Sequence, residues 1–178
     1  GAVESSYNAE RADFDTWCVG HESGHNVQHT INLPSSMESS NNYFSNIITY
    51  QHGYRMSRGM NFDENYEYTL KKTNFSHRSI SITMRMYYNF YLYYHLLDKK
   101  TDFSTTLHNL LLDDPISFSG GGWYEGPSGG ANRGYGRNAW LKFYKKACDA
   151  AQEDLTEYFR MWGFFYPCTD LYCGDYSS

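Results

Sequence analysis

Three residues whose side chains can bind a metal or transfer a proton, His21, Glu22 and His25, form a His-Glu-x-x-His pattern near the start of this chain. On an α-helix, residues four apart lie about 40° apart around the axis and about 6 Å along it, so both imidazoles can bind one cation. The carboxylate of Glu22 would then point toward the open position of the metal, where it can take a proton from a zinc-bound water. We therefore predict half of a zinc site with Glu22 as the base. The alternative is an amphipathic helix with solvated histidines.

A zinc site of this kind needs a third protein ligand. His29 extends the histidine ladder, but it lies about 12 Å along a helix from His21, and zinc to nitrogen bonds are only about 2.1 Å long. The metzincin pattern requires Gly three residues and His six residues after the second ligand, and Gln28 and Ile31 occupy those positions. Both of these possibilities are therefore excluded.

A glutamate on a following helix is the remaining type of third ligand. The segment 32–36 reads Asn-Leu-Pro-Ser-Ser and predicts a turn followed by a capped helix, which places Glu38 in the first turn of that helix. Asn42 lies four residues further on the same face, where its amide could accept a hydrogen bond from a ligand histidine. Alternatively, Glu38 only favours the helix N-terminus electrostatically. Glu64 and Glu67 are the fallback ligands.

The stretch His-Glu-Ser-Gly-His-Asn-Val-Gln at 21–28, together with Met-Glu-Ser-Ser-Asn-Asn-Tyr-Phe-Ser-Asn at 37–46, resembles the enhancin-like zinc peptidases. The segments 140–146 and 153–165 are similar to the closing helices of that family, so the resemblance spans roughly 13–167. These gluzincins attack mucins and other O-glycosylated proteins. The resemblance implies that His21, His25 and Glu38 bind Zn²⁺ and that Glu22 is the base. It also implies a β-rich part before the active-site helix, and only about twenty residues precede that helix here.

Length and composition narrow the class of protein. The size of the chain, 178 residues, is typical of one domain with its own core. The net charge of −5 and the lack of a basic run argue against a nucleic-acid partner. No stretch is apolar enough to span a bilayer, and no signal-peptide pattern begins at Gly1, so we expect a processing boundary there. Eighteen tyrosines are expected to serve mainly in the core.

Hydrophobic periodicity predicts a mainly α fold, with minor β structure possible. The resemblance implies that this is the helical half of a gluzincin-like catalytic domain. The active-site helix is expected to begin after Asp13 or Asp15 and to end near Ile31, with Gly20 and Gly24 allowing close approach of another backbone or of substrate. The Glu38 helix is expected to continue through Tyr43, Phe44, Ile47 and Ile48, which lie on one apolar face. Four further helices are predicted: Ile80–Leu97, with a strand pair as the alternative; Thr105–Leu112; Asn138–Ala151; and Gln152–Trp162, closed by Gly163. Between Gly59 and Lys72 we predict a loop that contains a short helical or extended segment at 66–70.

The glycine-rich segment 119–137 lacks the lysine pattern of a phosphate-binding loop. Its glycines permit close backbone approach, and Trp123, Tyr124, Arg133 and Tyr135 offer ring faces and donors that could grip a sugar or peptide. The alternative is a flexible surface connection. The spacing of Cys168 and Cys173 could close a small disulfide loop, which leaves Cys18 and Cys148 as a second pair or as buried thiols.

These patterns together predict a zinc-dependent endopeptidase with Zn²⁺ as its cofactor. The resemblance implies a glycoprotein or mucin substrate, an extracellular location, secreted or on the cell surface, and a role for the missing N-terminal part of the same domain. We expect residues 1–178 to form a single catalytic unit. Two alternatives stay open, which are a carbohydrate- or mucin-binding module without catalysis and a zinc peptidase with no glycan requirement.

Overall fold

The fold is mainly helical, as predicted. In a computed structural model of the chain, the described residues are 7–8, 13–14, 16–28, 37–51, 62–75, 78–116 and 135–166. Two short antiparallel strands pair Tyr7 with Phe14 and Asn8 with Asp13. The elements of the described residues are β1 (Tyr7–Asn8), β2 (Asp13–Phe14), α1 (Thr16–Val27), α2 (Met37–Ser40), α3 (Asn42–Gln51), α4 (Phe62–Leu70), α5 (Ile80–Phe90), a π-helical segment (Tyr91–Leu96), α6 (Phe103–Asp113), α7 (Tyr135–Ala151) and α8 (Thr156–Met161).

Helices α1 and α3 pack closely because α1 carries two glycines at the crossing. A Cβ atom on Gly20 would lie 2.8 Å from the Cα atom of Ser45, and one on Gly24 would lie 2.6 Å from the carbonyl oxygen of Asn41. Both distances are shorter than van der Waals contact, so only glycine permits this approach. The predicted close approach of another backbone is confirmed.

The helix that carries Glu38 differs from the prediction in two respects. It is interrupted by a turn at Asn41, which divides it into α2 and α3. It also has a buried polar face next to α1, which was not predicted and where small polar side chains fit the narrow gap. On the predicted apolar face, Tyr43 and Phe44 pack against the aromatic core, whereas Ile47 and Ile48 are only partly buried. The buried residues of α3 are Asn42, Ser45, Asn46 and Thr49.

The segment predicted as a long buried helix forms α5 and the π-helical segment that continues it. Every side chain from Ile82 to Tyr88 is buried. The predicted helix over Ile80–Leu97 is confirmed, and the alternative strand pair is wrong. The change from α- to π-helical hydrogen bonding after Phe90 was not predicted, because hydrophobic periodicity does not separate the two helix types.

The C-terminal half contributes most of the aromatic core. Phe159 of α8 contacts the rings of Phe143 and Tyr144 of α7 and the ring of Phe90 of α5. The predicted helix Gln152–Trp162 is shortened to Thr156–Met161, since Gln152 adopts a φ of 58° and Asp154 accepts hydrogen bonds from Thr156.

A glycine ends α8, as predicted. Gly163 has a φ of +84°, a left-handed conformation that suits glycine at a helix C-terminus. Its backbone oxygen accepts a hydrogen bond from the backbone N–H of Phe75 at 3.2 Å, which ties the end of α8 to the segment before α5.

Helix α4 begins earlier than the short piece predicted at 66–70. The 32–36 turn, most of the glycine-rich segment, Cys168 and Cys173 lie outside the described residues. Cys18 and Cys148 are not joined to each other. Among the described residues, no helix has both the length and the hydropathy required to cross a bilayer.

Candidate metal centre

The side chains of His21, His25 and Glu38 converge at the junction of α1 and α2. Glu38 Oε2 lies 3.3 Å from His21 Nε2 and 3.7 Å from His25 Nε2. One ligand atom from each of the three residues lies within 4.8 Å of the other two. The two imidazole rings have centroids 4.9 Å apart and an interplanar angle of 82°. Residues from two helices thus offer two nitrogens and one carboxylate oxygen to a common point.

The second nitrogen of each imidazole faces an amide oxygen. His21 Nδ1 lies 3.2 Å from Oδ1 of Asn42, and His25 Nδ1 is hydrogen-bonded to Oε1 of Gln28. An amide oxygen only accepts hydrogen bonds, so these two contacts favour the tautomer in which each Nδ1 carries the proton. In that tautomer the Nε2 atoms carry the lone pairs, as ligand histidines of this kind require.

Asn42 holds its position through contacts with its own chain segment. Its Nδ2 donates to the backbone oxygen of Glu38, and its Oδ1 also accepts a hydrogen bond from the Ser45 hydroxyl at 3.1 Å. The carboxylate ligand and the orientation of His21 are thus linked through one buried amide.

Gln28 plays the corresponding part for His25 and was not identified from the sequence. Its side chain is buried, and its Nε2 donates to Ser40 Oγ at 2.8 Å. This hydrogen bond fixes which way the amide points and joins the end of α1 to α2. The spacing of three residues between His25 and Gln28 was the available signal, because residues i and i+3 share a helix face.

Asn41, at the break between α2 and α3, was also missed. Its Nδ2 lies 3.1 Å from His21 Nε2, 3.0 Å from His25 Nε2 and 3.2 Å from the backbone oxygen of His21. The residue is fully buried. The same Nδ2 lies 3.0 Å from His21 Nδ1, so this amide lies against both imidazoles and next to the Nε2 atoms that a metal ion would bind. No pattern in the sequence distinguishes it from Asn42.

The geometry fits zinc. With bonds of about 2.0–2.1 Å and tetrahedral angles, neighbouring ligand atoms are expected about 3.3–3.4 Å apart. The 3.3 and 3.7 Å separations of the Glu38 oxygen from the two nitrogens are close to that value. Two imidazoles and one carboxylate are typical of zinc sites that leave a position open. The Glu38 side chain is 39% exposed, so this cluster is accessible from solvent.

The other predicted site residues are placed as follows. Glu22 follows His21 on α1 and its side chain is exposed. The fallback ligands lie elsewhere, since Glu64 accepts a hydrogen bond from Ser79 at 3.2 Å and Glu67 pairs with Lys71 at 3.5 Å. Trp123, Tyr124 and Arg133 lie outside the described residues. Tyr135 is the first residue of α7, and its side chain is not described.

The helical fold and this His-His-Glu cluster define the class of the protein as a metallopeptidase-type domain. The family model of Peptidase M60, enhancin and enhancin-like, matches residues 1–163. The chain therefore belongs to this family.

Two solved structures are similar to this chain. A metallopeptidase from Bacteroides thetaiotaomicron has a TM-score of 0.70 and 31% sequence identity over 86% of this chain and 25% of its own. A metallopeptidase in complex with Tn antigen has a TM-score of 0.67 and 32% identity over 86% of this chain and 28% of its own. The chain thus spans about a quarter of the length of these structures. No curated protein matches it.

Proposed function

We propose that this chain is the zinc-binding part of an endopeptidase that hydrolyses peptide bonds in O-glycosylated proteins. The observation that carries the proposal is the convergence of His21, His25 and Glu38, with an amide oxygen next to Nδ1 of each imidazole. Membership of the enhancin-like peptidase family supports it.

The mechanism assigns a separate task to each group of residues. His21, His25 and Glu38 would hold one Zn²⁺, and Asn42 and Gln28 would hold the two imidazoles in the orientation that binds the ion. When bound, Zn²⁺ supplies Lewis-acid chemistry, which polarises a peptide carbonyl and lowers the pKa of water. Glu22 accepts the proton of the attacking water and returns it to the leaving amine. Its exposed position on α1 leaves its carboxylate accessible to water and substrate.

The glycan preference rests on family membership and on the neighbour solved in complex with Tn antigen. Trp123, Tyr124, Arg133 and Tyr135 stay predicted substrate contacts. A substrate of this kind is extracellular, so we propose that the enzyme acts outside the cell, secreted or on the cell surface. We also propose that residues 1–178 form one catalytic unit and that this unit acts together with a preceding β-rich part of the same domain.

The test combines zinc content with cleavage of an O-glycosylated protein and of the same protein after removal of its glycans. In Glu22→Gln we expect bound zinc to be retained and cleavage to fall by about 10²–10⁴-fold, because the base is lost while the three ligands stay. Glu38→Gln should instead lose zinc. The matched control is Glu67→Gln, which removes an exposed carboxylate from α4 and should change neither quantity.

Each outcome has a distinct meaning. Full activity in Glu22→Gln would overturn the mechanism. Zinc and glycan binding by the wild-type chain without hydrolysis would indicate a binding module. Equal cleavage of the glycosylated and deglycosylated protein would indicate a zinc peptidase without a glycan requirement.

A further inference from the structure

A cavity of about 490 Å³ lies beside the π-helical segment, on the part of the fold that the proposed chemistry does not use. Its residues come from the end of α5, the π-helical segment, the turn after α7 and helix α8. It is lined by Asn89, Phe90, Leu92, Tyr93, Tyr94, Leu97, Glu153, Leu155 and Tyr158. No residue of the metal centre is among them.

The cavity and the metal centre lie at different positions along α5. Thr83 contacts Ser39, next to Glu38, through a hydrogen bond between their hydroxyls. Asn89, the first cavity residue, lies six residues later on α5, which is about 9 Å along the helix. A ligand could therefore bind in the cavity without touching His21 or His25.

Four of the nine lining residues are aromatic. Tyr94 and Phe90 are buried at the inner end, whereas Tyr93 is 45% exposed at the rim. The rings of Tyr93 and Tyr94 are nearly perpendicular, with an interplanar angle of 85° and centroids 5.0 Å apart. The Phe90 and Tyr158 rings lie beside them, 5.2 Å apart. Tyr94 also stacks on Phe103, with centroids 4.1 Å apart, so it is the half-exposed ring of Tyr93 that offers an electron-rich surface to a compact guest.

The polar groups of the cavity also contribute negative charge and oxygen atoms that attract a cation. Glu153 contributes an exposed carboxylate, and no Lys or Arg among the described residues forms an ion pair with it. The Tyr94 hydroxyl oxygen is buried without a hydrogen bond of normal geometry to the described residues. Burial and the negative charge of Glu153 raise the pKa of Tyr94 above its ordinary value of 10.0, so the phenol stays neutral.

We propose that this cavity binds an organic cation, an alkylammonium group whose charged end lies between the Tyr93 ring and the Glu153 carboxylate. An aromatic ring and a carboxylate both attract positive charge, and the apolar floor formed by Phe90 and Leu155 accommodates the alkyl part. The lining carries one negative charge, on Glu153, and no positive charge, which favours a cation over a neutral guest. This proposal is independent of the proposed peptidase activity.

The test is a nuclear magnetic resonance titration of the whole chain with choline and with its uncharged isostere, 3,3-dimethylbutan-1-ol. We expect choline to shift the ring signals of Tyr93 and Tyr94, and the alcohol to bind about three- to tenfold more weakly, as the loss of a cation–π contact requires. Glu153→Gln should weaken choline binding by about two- to fivefold and leave the alcohol unaffected, because a partly exposed charge pair is lost.

Two further variants control the interpretation. Glu157→Gln removes another exposed carboxylate nearby and should not change either affinity. Tyr93→Ala removes an exposed ring, so the fold should be retained while choline binding weakens. Equal affinity for choline and the alcohol, unchanged choline binding in Glu153→Gln, or no shift up to on the order of 0.1 M choline would overturn the proposal. Selective binding of N-acetylgalactosamine instead of choline would also overturn it.

Discussion

At the level of single residues, the candidate metal centre combines three proposed ligands with neighbouring amides. His21 and His25 each have one nitrogen next to an amide oxygen, which belongs to Asn42 of α3 for His21 and to Gln28, the residue after α1, for His25. We expect these amides to orient the two rings for binding a metal ion.

Gln28 offers a direct test of this arrangement. Replacement of Gln28 by Leu keeps the volume but removes the acceptor for His25 Nδ1, so we expect zinc affinity to fall by about 10–100-fold. Gln28→Glu retains an acceptor and should recover most of the affinity. The measurement is a zinc dissociation constant from competition with a chelator.

The control for Gln28 lies two residues earlier, on α1. Asn26→Leu replaces another amide, but Asn26 is exposed and its side chain donates to the backbone oxygen of Glu22 rather than to a histidine, so zinc affinity should stay unchanged. Wild-type zinc affinity in Gln28→Leu would show that the hydrogen bond to His25 has no positioning role.

At the level of elements, the crossing of α1 and α3 sets the distance between the ligands. Gly20 and Gly24 bring the α1 backbone against Ser45 and Asn41. Asn41 directly follows α2, which carries Glu38, so the position of the carboxylate depends on how closely the helices approach. The glycines of the motif region are thus structural determinants of the metal geometry.

Gly24→Ala tests this dependence. The added methyl group would lie 2.6 Å from the backbone oxygen of Asn41, so the helices must separate. We expect a loss of about 1–3 kcal/mol in the free energy of unfolding and weaker zinc binding. Thermal unfolding and zinc titration measure the two effects.

Ser23→Ala is the control, because it also introduces alanine into α1 but on the exposed face, where it only removes a hydroxyl group. It should change the melting temperature and zinc affinity little. If Gly24→Ala behaved like Ser23→Ala in both measurements, the close crossing would not matter for the site.

At the level of the whole molecule, an aromatic core supports the helices that hold the site. Phe159 is fully buried and contacts rings from α5 and α7, as well as Phe164 after α8. Since α5 also touches α2 through Thr83 and Ser39, the core and the metal centre share a supporting helix. Loss of core packing is therefore expected to affect the whole fold.

Phe159→Ala should lower the free energy of unfolding by about 3–5 kcal/mol, because it removes a buried ring and leaves a cavity. The midpoint of denaturant unfolding measures this change. Met161→Ala alters a side chain of α8 that is 50% exposed and should cost much less. Similar losses in the two variants would show that Phe159 is not a centre of the core.

The sequence by itself determined the features that depend on local spacing. Two histidines four residues apart, a buried helix from Ile80, the end of a helix at Asp113 and the turn at Gly163 all follow from helical periodicity or from the conformational preferences of one residue. The same local reasoning proposed Glu38 and Asn42, but it left Glu64 and Glu67 open as ligands.

Only the tertiary structure decided which of these side chains meet. It brought Glu38, rather than Glu64 or Glu67, to the histidines, revealed Gln28 and Asn41, and added a buried polar face of α3 to the expected apolar one. Helix periodicity is a local property of the backbone, whereas these contacts depend on the distance between α1 and α3. Two glycines and a set of small side chains set that distance, and their effect appears only when the helices pack together.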